Sequence, residues 1–219
     1  MPVKNRAKLG MVICLILIWL LLGGRAAFAH STFGGTNLVA LPTSSILPPG
    51  GYSVGVHYLE DDWTKIQFEI GLFRCLQVGA VADLVHGEYE TGATIKYQLV
   101  PERMGAFGLA IGLEDIGHEK TTSYMVASQT LPKYGIRWHL GVGAGALDGF
   151  FIGANKVFNS IKVVEGKKNP WPRVIVIGEY DTSGLNIGAR IDLSGGFFFD
   201  LAVVNLDTYT IGVSYNKYL

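Results

Sequence analysis

Apolar and polar side chains alternate along most of this chain, in segments of about ten residues. In the clearest segment, Ile136, Trp138 and Leu140 alternate with Arg137 and His139. Strict alternation places successive side chains on opposite faces of a β-strand. About twelve such segments follow the first fifty residues, with ten as the alternative. The segment 121–130 fits the alternation least well, and we assign Tyr124 and Val126 to its outward face. The pattern predicts an all-β fold, an antiparallel up-and-down barrel.

Strand length and aromatic placement indicate where such a barrel lies. A soluble β-sandwich or lipocalin-like barrel also alternates, but its strands usually have ~5–6 residues. Most segments here sustain about 8 to 11 residues, close to the ~9–11 that a tilted strand needs to cross a bilayer. Aromatic residues cluster near segment ends, as in the girdles of membrane barrels: Tyr52, Tyr58, Tyr97, Tyr134, Phe197 and Tyr215. Both features favour a transmembrane barrel over the soluble alternatives.

The N-terminus has the three parts of a secretory signal peptide. Basic residues at positions 4, 6 and 8 precede an apolar run from Leu9 to Leu22, and a small-residue motif ends at Ala29. An uncleaved anchor is the alternative, but the run is shorter than the ~20 residues of a spanning helix. We therefore predict a signal peptide at 1–29, an irregular leader at 30–50 that could plug the barrel from the periplasmic end, and the barrel at 51–219.

Charge and cysteine content exclude some classes of function. Beyond residue 29 the chain keeps fourteen basic residues against eighteen acidic ones, a net charge of −4. Nucleic acid is therefore not an expected partner. Cys75 is the sole cysteine of that region, so no intramolecular disulfide can form.

The polar face of the predicted strands carries charges of both signs. Charge in a narrow space of low dielectric constant persists when it is paired. We therefore expect a lumen largely filled by a charge network, with an open pore as the alternative. Its predicted members are Lys65, Glu69, Asp83, Lys96, Arg137, His139, Glu179, Arg190, Asp192 and Asp200.

Charges also separate between alternate turns. With both termini in the periplasm, the turns predicted outside form an acidic outer rim of Glu60, Asp61, Asp62, Glu88, Glu90, Glu114, Asp115 and Glu119, together with Asp148, Asp181 and Asp207. A long turn at the other end carries Lys156, Lys162, Lys167 and Lys168. These lysines could hold an anionic polysaccharide or an acidic periplasmic partner, or could match the phosphate groups of the inner leaflet. Outer-membrane lipid is the other expected partner.

The candidate motifs for catalysis and cofactor binding lack the structural context that these functions need. The run 141–146 fits a dinucleotide fingerprint, but strand alternation continues where a helix should begin. The histidines show no ligand spacing, so no metal site is predicted. Ser128 and His139 lie on neighbouring predicted strands, which leaves a rim hydrolase as a minor alternative. We predict no enzyme, no catalytic residue and no cofactor.

Six short segments together suggest a relationship to a known family, and they lie at 34–43, 47–55, 124–128, 149–153, 179–181 and 186–188. In this order they resemble segments of YjbH-like outer-membrane proteins. Members of that family are predicted β-barrels, and the better-known ones are encoded beside exopolysaccharide production genes. The long members are several times the length of this chain, which looks like a single barrel unit. The resemblance implies a role linked to surface polysaccharide and no catalytic residues.

Overall fold

The computed structural model describes residues 35–60, 62–118, 120–159 and 171–218, and the backbone of 163–164 and 167–168. The predicted signal peptide and its cleavage site lie outside these residues. The strands within the described part are β1 (Tyr52–Leu59), β2 (Trp63–Phe73), β3 (Leu76–Val85), β4 (Glu88–Val100), β5 (Gly108–Ile116), β6 (Thr122–Leu131), β7 (Ile136–Ala144), β8 (Gly149–Phe158), β9 (Val163–Val164), β10 (Lys167–Lys168), β11 (Arg173–Tyr180), β12 (Leu185–Ser194), β13 (Phe197–Val204) and β14 (Thr208–Lys217). One turn of 3₁₀ helix, Gly145–Leu147, connects β7 to β8.

Twelve of these strands close into one antiparallel barrel, and each pairs with the next barrel strand along the chain, so that β8 pairs with β11. β1 pairs with β14 from Tyr52↔Lys217 to Leu59↔Thr210, which closes the sheet. β9 and β10 pair only with each other, within the long connection from β8 to β11. The predicted up-and-down barrel and its larger strand count are thus confirmed. Among the described residues, no helix is long and apolar enough to cross a membrane.

The barrel has two ends, named here by the chain. The terminal end is where β1 begins and β14 ends, and it carries the connections after β2, β4, β6, β8 and β12. The far end carries the connections after β1, β3, β5, β7, β11 and β13.

The outward face of the strands is apolar over most of their length. Exposed side chains on it include Val54, Val56, Ile66, Phe68, Ile95, Ile111, Leu140, Ile152, Ile187, Leu201, Ile211 and Val213. At the terminal end the Tyr215 ring lies 6.1 Å from Tyr52 and 4.8 Å from Phe197, centroid to centroid. An apolar band bordered by aromatic rings is typical of strands that face lipid.

The lumen contains residues 36–50, called the plug below. Its segment Leu38–Leu41 is almost fully buried and packs in an apolar cluster with wall residues that include Phe151, Ile177 and Val204. Leu38 lies directly over Gly153, where any larger side chain would meet it. The barrel therefore encloses a core built partly from its own N-terminal segment.

β6 corrects one prediction about strand faces. Tyr124 and Val126 were expected to point outward, but both are buried inside and belong to the apolar cluster around the plug. The Tyr124 ring lies over Gly112 of β5, which has no side chain to obstruct it. In this strand apolarity does not mark the lipid face, because the plug requires apolar partners in the lumen.

Candidate functional site

Glu179 of β11 holds the plug by its backbone. Its two carboxylate oxygens accept hydrogen bonds from the N–H groups of Val39 (3.1 Å), Ala40 (2.6 Å) and Leu41 (3.3 Å). Asn186 of β12 donates a fourth at 2.9 Å. A buried carboxylate that accepts several N–H groups is satisfied without a basic partner. One wall residue thereby fixes three consecutive plug residues.

Polar side chains on the opposite wall complete the attachment. Gln77 accepts from the N–H of Leu47 at 2.8 Å and donates to Glu69 at 2.9 Å, while Glu69 accepts from the N–H of Gly35 at 2.6 Å. Lys96 donates to the plug residues Thr36 and Asn37, each at 2.8 Å. The plug is thus anchored on both sides of the lumen.

Ser128, His139 and Asn155 form a buried relay on β6, β7 and β8. Ser128 Oγ lies 2.8 Å from His139 Nδ1, and His139 Nε2 lies 2.9 Å from Asn155 Oδ1. Since the amide oxygen can only accept, Nε2 carries the proton and Nδ1 accepts from the serine. Ser128 and His139 are fully buried, and Ser128 Oγ also accepts from the N–H of plug residue Ser44 at 2.9 Å. The geometry is that of an activated serine, but the plug covers it.

A second buried cluster lies against β1, β12, β13 and β14. Asp200 accepts from Arg190 at 2.7 Å, from His57 at 3.0 Å and from Ser214 at 3.0 Å, and it is fully buried. The His57 ring occupies the space over Gly212. Charge-assisted hydrogen bonds of this kind stabilise a buried carboxylate.

The terminal end carries partly exposed ion pairs around a cavity of about 300 Å³. Arg137 donates to Glu102 at 2.7 Å and to plug residue Ser45 at 2.9 Å. Although burial alone would raise it, the pKa of Glu102 is lowered, because Thr130 and Arg137 donate to its carboxylate. Both Arg137 and Arg190 line the cavity.

At the far end a polar cluster lies just inside the mouth. Lys65 Nζ is 3.9 Å from carboxylate oxygens of both Asp83 and Asp115. His118 Nδ1 lies 3.9 Å from Asp83 and 3.6 Å from Glu90. The fold brings these groups together from β2, β3, β4, β5 and the connection after β5.

The structure places all ten predicted lumen residues on the inward phase of their strands, with Arg137 and Asp192 half-buried near the terminal end. Asp192 pairs with Arg173 at 2.8 Å. The partners that the sequence analysis missed come from turns or the plug, notably Glu102, His118 and the backbone of residues 39–41. The polar residues His57, Gln77 and Asn186 lie on the predicted inward faces and could have been found by the same alternation.

Glu114 and Asp115 correct the predicted rim. Both were assigned to an outer turn, but they lie in β5 with 7% and 2% of their surface exposed. The cause is a β-bulge: Ala93↔Ile116 is followed by Ile95↔Leu113, so β5 carries one extra residue there. Asp115 takes a left-handed φ of 57°. Two consecutive acidic side chains therefore enter the lumen.

The remaining rim residues that the structure describes lie where the turns were expected, but Asp181 has only 2% of its surface exposed, and its carboxylate accepts hydrogen bonds from N–H groups of its own turn. Asp148 and Asp207 are exposed. Glu60, Asp62, Glu88 and Glu90 are exposed at the far end, although the last two belong to β4, because a tight turn at 86–87 extends the hairpin. Asp61 and Glu119 lie outside the described residues.

The predicted basic turn needs one correction. Lys156 lies in β8 on the outward face, with Nζ 5.3 Å from the Phe158 ring centroid. β8 continues past the expected turn, and the long side chain can reach the membrane interface. Lys167 and Lys168 belong to β10, and Lys162 lies outside the described residues.

Comparisons with known proteins identify the fold. No protein-family model matches the chain, and no curated protein does, so the resemblance to YjbH-like proteins stays a prediction. Among solved structures, a KdgM porin aligns with a TM-score of 0.52 at 9% identity, covering 77% of this chain and 99% of the porin. This chain has the barrel fold of that porin. A KdgM porin in complex with disordered oligogalacturonate aligns with a TM-score of 0.53 at 11% identity and the same coverage.

Proposed function

We propose that this chain is an exported β-barrel of an outer membrane, with its lumen closed by its own N-terminal segment, and that it has a structural or exopolysaccharide-associated role. The apolar outward band, bordered by aromatic rings, supports insertion into lipid. A closed barrel leaves no unpaired sheet edge, as a membrane requires. The observation that carries the proposal is the plug, which Glu179 holds inside the lumen through three backbone hydrogen bonds.

The polysaccharide part of the proposal rests on charge and on resemblance. The far end exposes carboxylates, whereas the terminal end exposes Arg74, Arg103, Lys133 and Lys156. An acidic polymer would therefore be attracted to the terminal end and repelled from the far end. YjbH-like proteins are linked to exopolysaccharide production, and the KdgM structure shows that a barrel of this fold was studied with an acidic oligosaccharide.

Retention of an acidic polysaccharide by the reconstituted barrel tests this part. We expect retention that falls steeply with salt, and that is lost when Lys156, Lys162, Lys167 and Lys168 are all changed to Gln. Lys120→Gln, an exposed lysine at the far end, is the control and should retain the polymer normally. Unchanged retention by the fourfold variant would contradict polysaccharide binding by these lysines and would favour their pairing with lipid phosphate groups.

A narrow channel for small solutes is the second candidate function. The observation in its favour is the 300 Å³ cavity at the terminal end, which Arg137 and Arg190 line. If it leads to a conducting path, the barrel selects anions. Single-channel recording in planar bilayers separates the two candidates. The closed barrel predicts no steady conductance, whereas a channel predicts resolved openings with anion preference.

We propose that the Ser128–His139–Asn155 relay anchors the plug and does not hydrolyse substrates. Both Ser128 and His139 are inaccessible, and the serine oxygen already accepts a hydrogen bond from Ser44. Ser128→Ala should therefore leave a reconstituted sample equally inert towards phospholipid and nitrophenyl ester substrates. Turnover by the parent that Ser128→Ala abolishes would make the chain an enzyme.

A further inference from the structure

Four side chains meet just inside the far mouth and are called the mouth cluster: Asp83, Glu90, Asp115 and His118. Asp83 and Glu90 are cross-strand partners on β3 and β4. Asp115 lies in the bulge of β5, and His118 follows in the turn, with its N–H donating to the Asp115 carbonyl at 3.0 Å. Ligand atoms of Asp83, Asp115 and His118 all lie within 4.8 Å of one another.

The carboxylates of this cluster have unused acceptor atoms. Within the part of the chain that the structure describes, the buried Oδ2 atoms of Asp83 and Asp115 accept no hydrogen bond, and each residue has 2% of its surface exposed. Trp63 Nε1 donates to Asp83 Oδ1 at 2.9 Å and so holds the other oxygen towards the cluster. Metal-binding carboxylates are commonly oriented in this way by a hydrogen bond to the second oxygen.

Lys65 satisfies these acids only in part. Its Nζ is 3.9 Å from Asp83 and 3.9 Å from Asp115, beyond hydrogen-bond distance. Among the described residues, this one ammonium group faces two buried carboxylates, Asp83 and Asp115, and so compensates them incompletely. Buried charge that is not compensated is costly, and a divalent cation would neutralise it.

We propose that the mouth cluster binds one divalent transition-metal ion, Zn²⁺ by preference, through Asp83, Asp115 and His118, with Glu90 as a fourth ligand. Imidazole and carboxylate together suit zinc, whereas Ca²⁺ and Mg²⁺ take oxygen ligands. His118 Nδ1 is 3.6 Å from Glu90 and 3.9 Å from Asp83. Tetrahedral ligands at ~2.0–2.1 Å from zinc are roughly 3.4 Å apart. The ligand atoms of Asp83, Asp115 and His118 lie within 4.8 Å of one another, so closure moves each of these three by about 1 Å or less.

The local backbone permits this closure. The His118 ring lies over Gly92 of β4, where any Cβ would obstruct it. The ion would join β3, β4, β5 and the connection after β5, and Lys65 would move away from it. Because the ion binds the folded barrel, it also stabilises that state.

Metal titration of the chelator-stripped, refolded barrel in detergent tests the site. Calorimetry with ZnCl₂ should give one ion per barrel, and MgCl₂ at the same concentration should give no binding. His118→Gln should weaken zinc binding at least tenfold. His86→Gln changes an exposed histidine in a neighbouring turn of the same end and should not weaken it. Equal zinc affinity for these two variants, or no binding by the parent, overturns the proposal.

Two further measurements serve if His118→Gln does not refold. Lys65→Met removes the competing ammonium group and should tighten zinc binding by the parent cluster. Co²⁺ bound to the parent should show the intense visible absorption of a tetrahedral site, which ZnCl₂ then displaces. If Lys65→Met does not bind zinc more tightly and Co²⁺ gives no such absorption, the proposed metal site is contradicted, whether or not His118→Gln folds.

Discussion

Two arginine–aspartate pairs in this barrel have nearly equal lengths but different surroundings. Arg190–Asp200 is 2.7 Å long with side chains 9% and 0% exposed, whereas Arg173–Asp192 is 2.8 Å long with side chains 33% and 14% exposed. Solvent screens the second pair and hydrates either partner when the other is removed. Water does not reach the first pair in this way, so removing Arg190 leaves the buried Asp200 carboxylate without its cationic partner.

Changing each arginine to methionine measures this difference. Arg190→Met should lower the free energy of unfolding by ~3–5 kcal/mol, whereas Arg173→Met should lower it by ~0–1 kcal/mol. Urea unfolding of both variants from lipid vesicles compares them directly. Similar losses for the two would mean that water reaches Asp200 freely.

Glu102 makes stability depend on pH. Its folded pKa is below the ordinary value of 4.5, because hydrogen bonds from Thr130 and the charge of Arg137 outweigh the effect of burial. A lowered folded pKa adds stability that is present above the ordinary pKa and is lost as pH falls through the folded pKa. Glu102→Gln should therefore be less stable than the parent at neutral pH, and the gap should narrow below pH 4.5. A gap that stays constant down to about pH 3 would contradict this assignment.

Alternation in the sequence was sufficient to place charged residues on a face but not to pair them. Odd and even positions of a strand point to opposite faces. This rule correctly placed Lys65, Lys96 and Asp200 on the inward face. Pairing depends on register and on segments outside the strands. Glu102 lies in a connection, and the partners of Lys96 lie in the plug. Neither position follows from strand periodicity.

In two strands, β5 and β6, alternation predicted the wrong face for some residues, and each error has a local structural cause. The bulge in β5 adds one residue, which turns both Glu114 and Asp115 inward. In β6 the buried Tyr124 reverses the expected distribution of apolar residues, because the plug gives the lumen an apolar side. A bulge does not alter composition, and the lumen-facing apolar residues resemble lipid-facing ones. Sequence patterns therefore could not distinguish either case.

Glycines on the inward face make room for large side chains, and β14 offers a test. A Cβ at Gly212 would overlap the ring of the fully buried His57, so Gly212→Ala should destabilise the barrel by ~1–3 kcal/mol. Gly178 of β11 lies on the outward face, and a Cβ added there would meet no protein atom within 4 Å. Gly178→Ala is the control for a strand glycine without such a neighbour and should be neutral or stabilising by ~0.4–1 kcal/mol. Thermal unfolding in detergent ranks the two, and equal stability would mean that the His57 ring can move aside.

The outward face of β12 provides a test of membrane insertion. Ile187 is 48% exposed within the apolar outward face of β12, whereas Leu206 is 59% exposed in the connection between β13 and β14. An arginine at the bilayer midplane costs ~2–4 kcal/mol, and one near the interface costs ~0–1 kcal/mol. Ile187→Arg should therefore impair folding into lipid vesicles, while Leu206→Arg should fold normally. Equal folding of both variants would indicate a barrel that does not contact hydrocarbon.

For the molecule as a whole, the sequence was sufficient to predict the strands of the barrel wall but not the packing inside the lumen. Twelve alternating segments and their charged turns were sufficient to predict the closed barrel and its acidic far end. They left residues 30–50 as a leader that could plug the lumen, because an irregular segment has no periodicity to predict its position. Within the plug, residues 39–41 are held in the lumen by hydrogen bonds from their backbone N–H groups, which do not depend on the identity of their side chains. Side-chain patterns therefore could not have identified Glu179 as their acceptor.

The plug and the wall are separable in principle, because the wall strands pair with one another. Among the described residues, the plug forms a backbone bridge to that ladder at Pro49↔Gly71 alone. Deleting residues 36–47 should therefore leave the β-signal in circular dichroism while removing the apolar cluster around Leu38–Leu41. The buried acceptors of Glu179 and Gln77 would then bind water, which can fill the vacated space. We expect a folded barrel of lower stability that conducts in planar bilayers, whereas Glu179→Gln, which keeps the plug and one acceptor oxygen, should conduct rarely or not at all. A folded deletion variant that stays closed would show that the wall side chains alone occlude the lumen, and the plug would then have a stabilising role without a gating one.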